Sequence, residues 1–247
     1  MNKNIALVTG ASSGIGRYLS IELAKNNFEL ILSSRNLEGL EDTADKINDI
    51  GGVSHIIPAD LSDIDSIKNL YNKSLEVGFV GTVINNAGFG KFDRLKDISI
   101  DDWDSQISVN LRAPFLITQL FSKSMIENKM GMFVYVNSVA GKKAYPYSSA
   151  YVSSKFALRG FSRSIREEFR EHNIKVVSVH PGAVDTGFWD KLNVDFPKEE
   201  MMSSEDVAQS IAQCVLVPNN LVIEEIDIQR TKGLNVIRQR HKNIPRE

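Results

Sequence analysis

A doubly wound α/β fold, with about seven parallel strands in one sheet and helices on both faces, follows from three observations. Short apolar or β-branched runs alternate with longer stretches of helical periodicity along the whole chain. The runs read as strands buried on both faces, which is what a parallel sheet covered by helices requires. A chain of 247 residues is within reach of one α/β domain, and neither a linker nor an internal repeat divides residues 1–247.

The first six strands are expected at Ile5 to Thr9, Leu30 to Ser33, Val53 to Ile57, Thr82 to Asn85, Met132 to Asn137 and Lys175 to His180. Before the sixth, Leu158, Phe161, Ile165 and Phe169 recur at helical offsets, opposite Arg159, Arg163, Arg166 and Arg170. Parallel crossovers take roughly a dozen residues or more and wrap right-handed, so ligands bind at the carboxyl ends of the strands. A last helix from about Ser204 to Val217 and a seventh strand from about Leu221 to Ile228 complete the expected sheet.

Composition narrows the function classes. With 42% hydrophobic and 24% charged residues the chain matches an ordinary globular protein, and a net charge of −2 exerts no general pull on nucleic acid or anionic membrane. Cys214 is the sole cysteine, so an intrachain disulfide and a cysteine metal cluster are both excluded. His55, His172, His180 and His241 lack metal-ligand spacing, and no metal is expected. Met1 to Asn4 lead straight into an apolar run too short for a signal sequence or a membrane span, and a reducing cytoplasm is the expected location.

The first strand runs into Thr9-Gly10-Ala11-Ser12-Ser13-Gly14-Ile15-Gly16, which opens a helix with apolar Ile15, Leu19 and Leu23. Gly10 permits a tight turn, Gly14 lets backbone N–H groups approach a pyrophosphate, and Gly16 allows close helix packing. The spacing departs from the common G-x-G-x-x-G, and a glycine-rich connection without ligand is the alternative. No Lys-Ser or Lys-Thr follows Gly16, so a nucleoside-triphosphate loop lacks its phosphate lysine. A dinucleotide is the expected ligand, in a Rossmann-type sheet.

After the second strand, Ser33-Ser34-Arg35-Asn36 stands where a carboxylate would take the ribose 2′-hydroxyl of NAD. Arg35 instead suits a 2′-phosphate, which favours NADP(H). The alternative is a surface arginine before a helix capped by Asn36. Asp60 and Leu61 follow the third strand, where the family resemblance described below implies contact with the adenine edge, unless Asp60 caps a helix starting near Ser62.

Tyr151 and Lys155 are four residues apart in a segment with helical periodicity and so share one face. Lowering a phenol from ~10 toward ~7 takes roughly 4 kcal/mol, about what a unit charge supplies at ~4 Å and an effective dielectric of ~20. Lys155, together with the positive nicotinamide of a bound cofactor, is therefore expected to acidify Tyr151. Ser138, at the end of the fifth strand, is placed to hydrogen-bond a substrate carbonyl. Alone, Y-x-x-x-K also describes a core tyrosine beside a surface lysine.

With these residues in view, the chain resembles the short-chain dehydrogenase/reductase family over nearly its full length. Thr9 to Gly16, Asn85-Asn86-Ala87-Gly88, Asn110, Ser138, Tyr151, Lys155 and Pro181-Gly182 carry the resemblance. It implies an NADP(H)-dependent oxidoreductase in which Ser138, Tyr151 and Lys155 act on a carbonyl or alcohol and Lys155 also binds ribose. It further implies that Asn110 holds a water in a proton relay, that Asn86, Ala87 and Gly88 line the cofactor, and that Val184 and Thr186 meet the nicotinamide carboxamide. A homodimer or homotetramer built partly on the helices carrying Asn110 and Tyr151 is implied too. The rival reading is a binding protein that senses NADP(H) without turnover.

The substrate is less constrained. A lid over about 184–203, with Phe188 and Trp189, follows the sixth strand, and Phe89, Phe92 and Tyr145 follow the fourth and fifth. These aromatics suit an apolar ketone. Lys142 and Lys143 raise the alternative of a 3-hydroxy acid held by its carboxylate. The ending Val222 to Ile228 resembles that of NADP-dependent 3-hydroxy acid dehydrogenases, although Gln229-Arg230 departs from it. The tail over about 229–247 carries six spread cations from Arg230 to Arg246 and is expected to be solvated, with docking on a partner or acidic lipid as the alternative.

Overall fold

Seven strands, all parallel, form one sheet in the order β3-β2-β1-β4-β5-β6-β7 in a computed structural model that describes residues 4–191 and 197–232. They are β1 Asn4–Thr9, β2 Phe28–Ser33, β3 Val53–Ile56, β4 Val80–Asn85, β5 Gly131–Val136, β6 Ile174–Pro181 and β7 Glu225–Ile228. Leu7 lies opposite both Ile31 and Val83, and the β1–β4 register shifts by one residue between Ile5 and Ala6. The helices are α1 Gly14–Lys25, α2 Leu37–Asp49, α3 Ile64–Val77, α4 Ile100–Ile107, α5 Ala113–Asn128, α6 Ser149–Phe169 and α7 Ser204–Val215.

Alternate residues of each strand point to opposite faces, and the core divides accordingly. Ala6, Val8, Leu30 and Leu32 face Leu19, Leu23, Leu40 and Ile211, from α1, α2 and α7. Leu7, Ile31, Val83 and Phe133 face Leu70, Ile117, Phe121 and Leu158, from α3, α5 and α6. Burial on both faces explains why these strands read as apolar runs and not as alternating ones. Among the described residues no helix is long and apolar enough to cross a membrane.

Three boundaries differ from the sequence reading. The last helix stops at Val215 because Pro218 disfavours helical backbone just before it, and Lys175 Nζ donates to the carbonyls of Val217 and Pro218 at 3.2 and 2.8 Å. The seventh strand begins at Glu225, since a turn closed by Leu221 N–H donating to Pro218 O and the irregular residues 222–224 come first. Asp63, not Asp60, caps α3, accepting from the N–H groups of Asp65 and Ser66. The cations beyond Lys232 lie outside the described residues.

An ionic lattice fastens β7 to α6. Glu225 meets Arg159 and Arg163, each at 3.1 Å, and Lys142 at 3.3 Å, while Glu224 meets Arg166 at 3.5 Å and Arg170 at 2.6 Å. Partial burial opposes ionisation of Glu225, but hydrogen bonds from Arg159 and Lys142 and their charges outweigh it, holding the carboxyl down at about 2. A depressed folded value stabilises the fold above the free carboxyl's range and loses that contribution as pH falls toward 2. Glu225→Gln should therefore destabilise the protein by about 2 kcal/mol at pH 7. In urea unfolding the gap to the parent should narrow steadily between pH 5 and pH 3; a gap independent of pH would contradict this assignment.

Candidate active site

Between β1 and β4 the chain order reverses, and the carboxyl ends of the strands open onto a cleft of about 940 Å³. Gly10, Ser12, Ser13, Gly14 and Ile15 line one end of it, Arg35, Asp60 and Leu61 flank them, and Asn86, Ala87 and Gly88 form the floor. Ser138, Tyr145, Tyr151, Lys155, Pro181, Gly182, Val184, Thr186 and Phe188 line the other end. Of the expected site residues, Gly16 and Asn110 act from behind this wall.

The glycine turn is dictated by close backbone approach. Gly10 has φ +67°, and a Cβ there would lie 2.9 Å from Asn86 Nδ2 and 3.0 Å from Ala87 Cα. At Gly16 a Cβ would collide with the Gly10 carbonyl, and at Gly14, φ +53°, it would meet Thr186 Cγ2 at 2.9 Å. Thr9 Oγ1 accepts from the N–H groups of Asn86 and Ala87 at 3.0 and 3.1 Å and donates to Ile84 O at 3.2 Å, joining β1 to β4. The Asn86 amide donates to Thr9 O at 2.9 Å, so this residue braces the turn as well as lining the cleft.

These residues fit a dinucleotide. α1 opens on the cleft with no acidic residue in its first turn and no side-chain cap from Ser13, which leaves N–H groups and the positive end of the helix dipole for a phosphate. By contrast Asn36, Asp63, Ser99 and Ser203 cap α2, α3, α4 and α7. Asn36 accepts from Gly39 N–H as expected, and Arg35 stands 69% exposed with only a long 3.8 Å ion pair to Asp60. Hydrogen bonds from Ser62 hold the Asp60 carboxyl below its ordinary range, with Arg35 adding to them.

Sequence reasoning missed Arg17. Its guanidinium donates to Ser12 O at 2.6 Å and to Thr43 Oγ1 at 3.2 Å and pairs with Asp42 at 2.8 Å, anchoring the glycine turn to α2. A cation in the first turn of a helix opposes the dipole, and that mismatch was the available signal.

Tyr151 and Lys155 stand on the first turns of α6, as their spacing predicted. Lys155 is buried, with Nζ 5.8 Å from the centre of the Tyr151 ring and donating to Val136 O at 3.1 Å. Ser138, at the end of β5, accepts Ala140 N–H at 3.0 Å and hydrogen-bonds the Tyr151 phenol. Phe92 and Phe188 pack on Tyr151 with ring centres 5.5 and 5.6 Å away. Gly90 makes room for them: a Cβ there would lie 2.9 Å from both rings and 3.2 Å from Tyr151.

Burial pushes the Tyr151 phenol up to about 12, partly offset by the Ser138 hydrogen bond. Burial likewise pushes Lys155 down to about 8. A low-dielectric surrounding disfavours the charged form of each group.

Asn110 lies in a π-helical turn, Ser108–Arg112, between α4 and α5. Its side chain accepts Phe89 N–H at 3.1 Å and donates to Phe89 O at 2.9 Å and Ser154 Oγ at 3.0 Å, which uses both of its amide hydrogens.

The expected lid is described on both sides of residues 192–196, which lie outside the described residues together with Phe196. Its neck is closed: Asp185 N–H donates to Met202 O at 2.9 Å and Met202 N–H to Ala183 O at 3.0 Å. The Trp189 indole donates to Val184 O at 2.8 Å. Lys142 is paired with Asp227 and Glu225, whereas Lys143 is exposed on the cleft wall.

Comparison with known proteins agrees with this geometry. The family profile described as short chain dehydrogenase matches residues 4–196. A sepiapterin reductase of Chlorobaculum tepidum is 36% identical over 239 residues, covering 94% of this chain and 98% of that protein. An alcohol dehydrogenase from Thermococcus sibiricus, solved with 5-hydroxy-NADP, superposes with TM-score 0.86 at 28% identity, covering 94% of this chain and 100% of the other. A metagenomic short-chain oxidoreductase solved with NADP gives TM-score 0.82 at 30% identity over 93% of this chain and 98% of the other.

A buried amine with a depressed folded pKa costs stability while it is protonated, in full below about 8 and not at all above the free value of 10.5. Lys155→Met should therefore stabilise the ligand-free protein by about 2 kcal/mol at pH 7. The gain should fade between pH 8 and pH 10.5 in chemical denaturation; a destabilised Lys155→Met at pH 7 would contradict the burial argument.

Proposed function

The chain belongs to the short-chain dehydrogenase family, and we propose that it is an NADP(H)-dependent oxidoreductase interconverting a carbonyl and the corresponding alcohol. The observation that carries this reading is the Ser138, Tyr151 and Lys155 set on the wall of the cleft that begins at the uncapped glycine turn. A non-catalytic sensor has no use for a phenol and a serine hydroxyl hydrogen-bonded together beside a buried amine.

The turn from Gly10 to Gly16 would hold the cofactor pyrophosphate, and Arg35 the 2′-phosphate. Asp60 and Leu61 would flank adenine, Asn86 to Gly88 and Lys155 the ribose, and Pro181, Gly182, Val184 and Thr186 the nicotinamide. When bound, the reduced cofactor supplies the hydride that goes to the carbonyl carbon. Tyr151 keeps its proton throughout the neutral range and gives it to the carbonyl oxygen, so one hydride and one proton convert C=O to CH–OH. Ser138 orients that oxygen, and Lys155, the only ammonium adjoining the phenol among the described residues, restores favourable charge as the phenolate forms.

Phe92, Tyr145 and Phe188 around Tyr151 favour a flat or apolar ketone. Neutralisation of Lys142 weakens the case for a 3-hydroxy acid, whose carboxylate would depend on Lys143. The likeness to a sepiapterin reductase supports a reductase of this kind. Half-exposed Phe115 and Phe156, on α5 and α6, support assembly as a homodimer or homotetramer through those helices.

The test is NADPH oxidation with aromatic ketones, α-diketones, aldehydes and 3-oxo acids. Tyr151→Phe should lower kcat by at least roughly 10²-fold, and unreduced turnover would refute the mechanism. In the same assay Arg35→Asp should shift the NADPH over NADH preference by roughly 10- to 100-fold toward NADH; an unchanged ratio removes Arg35 from the site. Light scattering should report a dimer or tetramer that Phe115→Glu with Phe156→Glu dissociates, and a monomeric parent would end that part of the proposal.

A further inference from the structure

His180 is the last inward residue of β6 before Pro181 and has no exposed surface. An imidazole at such a position costs stability unless both ring nitrogens are satisfied. Nδ1 lies 3.1 Å from the carbonyl oxygen of Ser138, and Nε2 lies 3.1 Å from Ser178 Oγ. A carbonyl only accepts, so Nδ1 must carry the proton. Nε2 of the neutral ring then accepts from the Ser178 hydroxyl. Burial favours this neutral form and, with the Lys142 charge acting in the same direction, pushes the His180 pKa down against the opposing influences of Ser138, Glu225 and Asp227.

The Ser138 carbonyl is held twice. Gly141 N–H donates to it at 2.9 Å, and His180 donates from the neighbouring strand. The Gly141 bond and the Ala140 bond to Ser138 Oγ both lie within the short 3₁₀ turn Val139–Gly141 and would travel with it. The His180 bond differs in that it ties Ser138 itself to β6. Any slip of the turn against the sheet would carry the Ser138 hydroxyl away from the Tyr151 phenol it hydrogen-bonds.

We propose that His180 is a positioning residue that fixes Ser138 against β6 through Nδ1–H, so that the Ser138 hydroxyl stays in register with Tyr151. This rests on the reading of Ser138 and Tyr151 given above. His180 touches none of the reacting atoms, so its effect should appear in kcat, with the KM for NADPH unchanged.

Three variants separate positioning from simple packing. Asn places its amide nitrogen where Nδ1 stands and can still donate to Ser138, whereas Gln reaches toward Ser178 and Leu makes neither bond. With NADPH and 1-phenyl-1,2-propanedione, His180→Leu and His180→Gln should lose roughly 10- to 100-fold in kcat, and His180→Asn should restore most of that loss. Should the Leu variant not fold, the order of Asn and Gln decides. Equal kcat in Asn and Gln, a Gln variant better than Asn, or a loss confined to KM for NADPH would overturn the proposal.

A second readout does not depend on turnover. In ¹⁵N-histidine spectra of the full chain, which holds 4 histidines, His180 should show a protonated Nδ1 and a bare Nε2 at neutral pH. The opposite tautomer would overturn the proposal. Full activity of Tyr151→Phe would instead refute the underlying mechanism and leave the tautomer result to stand on its own.

Discussion

β1 and β4 are neighbours in the sheet whose chains leave toward opposite faces, and a cleft can open only where such a pair diverges. The Thr9 hydroxyl spans that divergence, taking two backbone N–H groups of the β4 exit and returning its own proton to Ile84 O. The glycines exist to keep this junction tight: side chains at Gly10 or Gly16 would occupy space already filled by the Asn86 amide and the turn's own backbone. Arg17 then anchors the outer side of the turn to α2. The uncapped amino end of α1 is thus delivered to the cleft by packing constraints that are satisfied before any ligand arrives.

At the opposite end the governing term is water exclusion. A phenol that ionises only at high pH and an amine that is ionised at neutral pH are both drawn toward their neutral forms by burial, the phenol's pKa upward and the amine's downward. The phenol therefore retains its proton through the neutral range, while the amine carries a stability cost. Groups poised in this way respond strongly to a change in local charge, because the low dielectric that penalises each ion also strengthens its interaction with others.

Legibility in the sequence followed the range of the interactions. The strands, the glycine turn, the Asn36 cap and the Tyr151 and Lys155 pair are local patterns, set by neighbours a few residues away, and each was readable. The packing of Phe92 and Phe188 on the phenol was not, because they come from distant segments and nothing local announces that they meet there. Asp60 read as a possible cap, and only the path of the chain after β3 gave that place to Asp63. The short β7 began late because a turn at Pro218 consumed residues whose composition suits a strand. His180 was legible only as one of four histidines without metal-ligand spacing, because its partners Ser138 and Ser178 are brought to it by the pairing and pleat of β6.

The neck below Phe188 and Trp189 has a further consequence. Its two sides are stitched by backbone bonds between Ala183, Asp185 and Met202, and the Ser204 hydroxyl adds a bond to Asp185 O at 2.5 Å. A loop whose ends are already pinned can change length without disturbing the sheet, since each doubling of a flexible loop adds only about 0.6 kcal/mol of closure entropy. The segment above the stitch can therefore be revised by insertion and deletion while the strands, the glycine turn and Tyr151 beneath it keep their geometry.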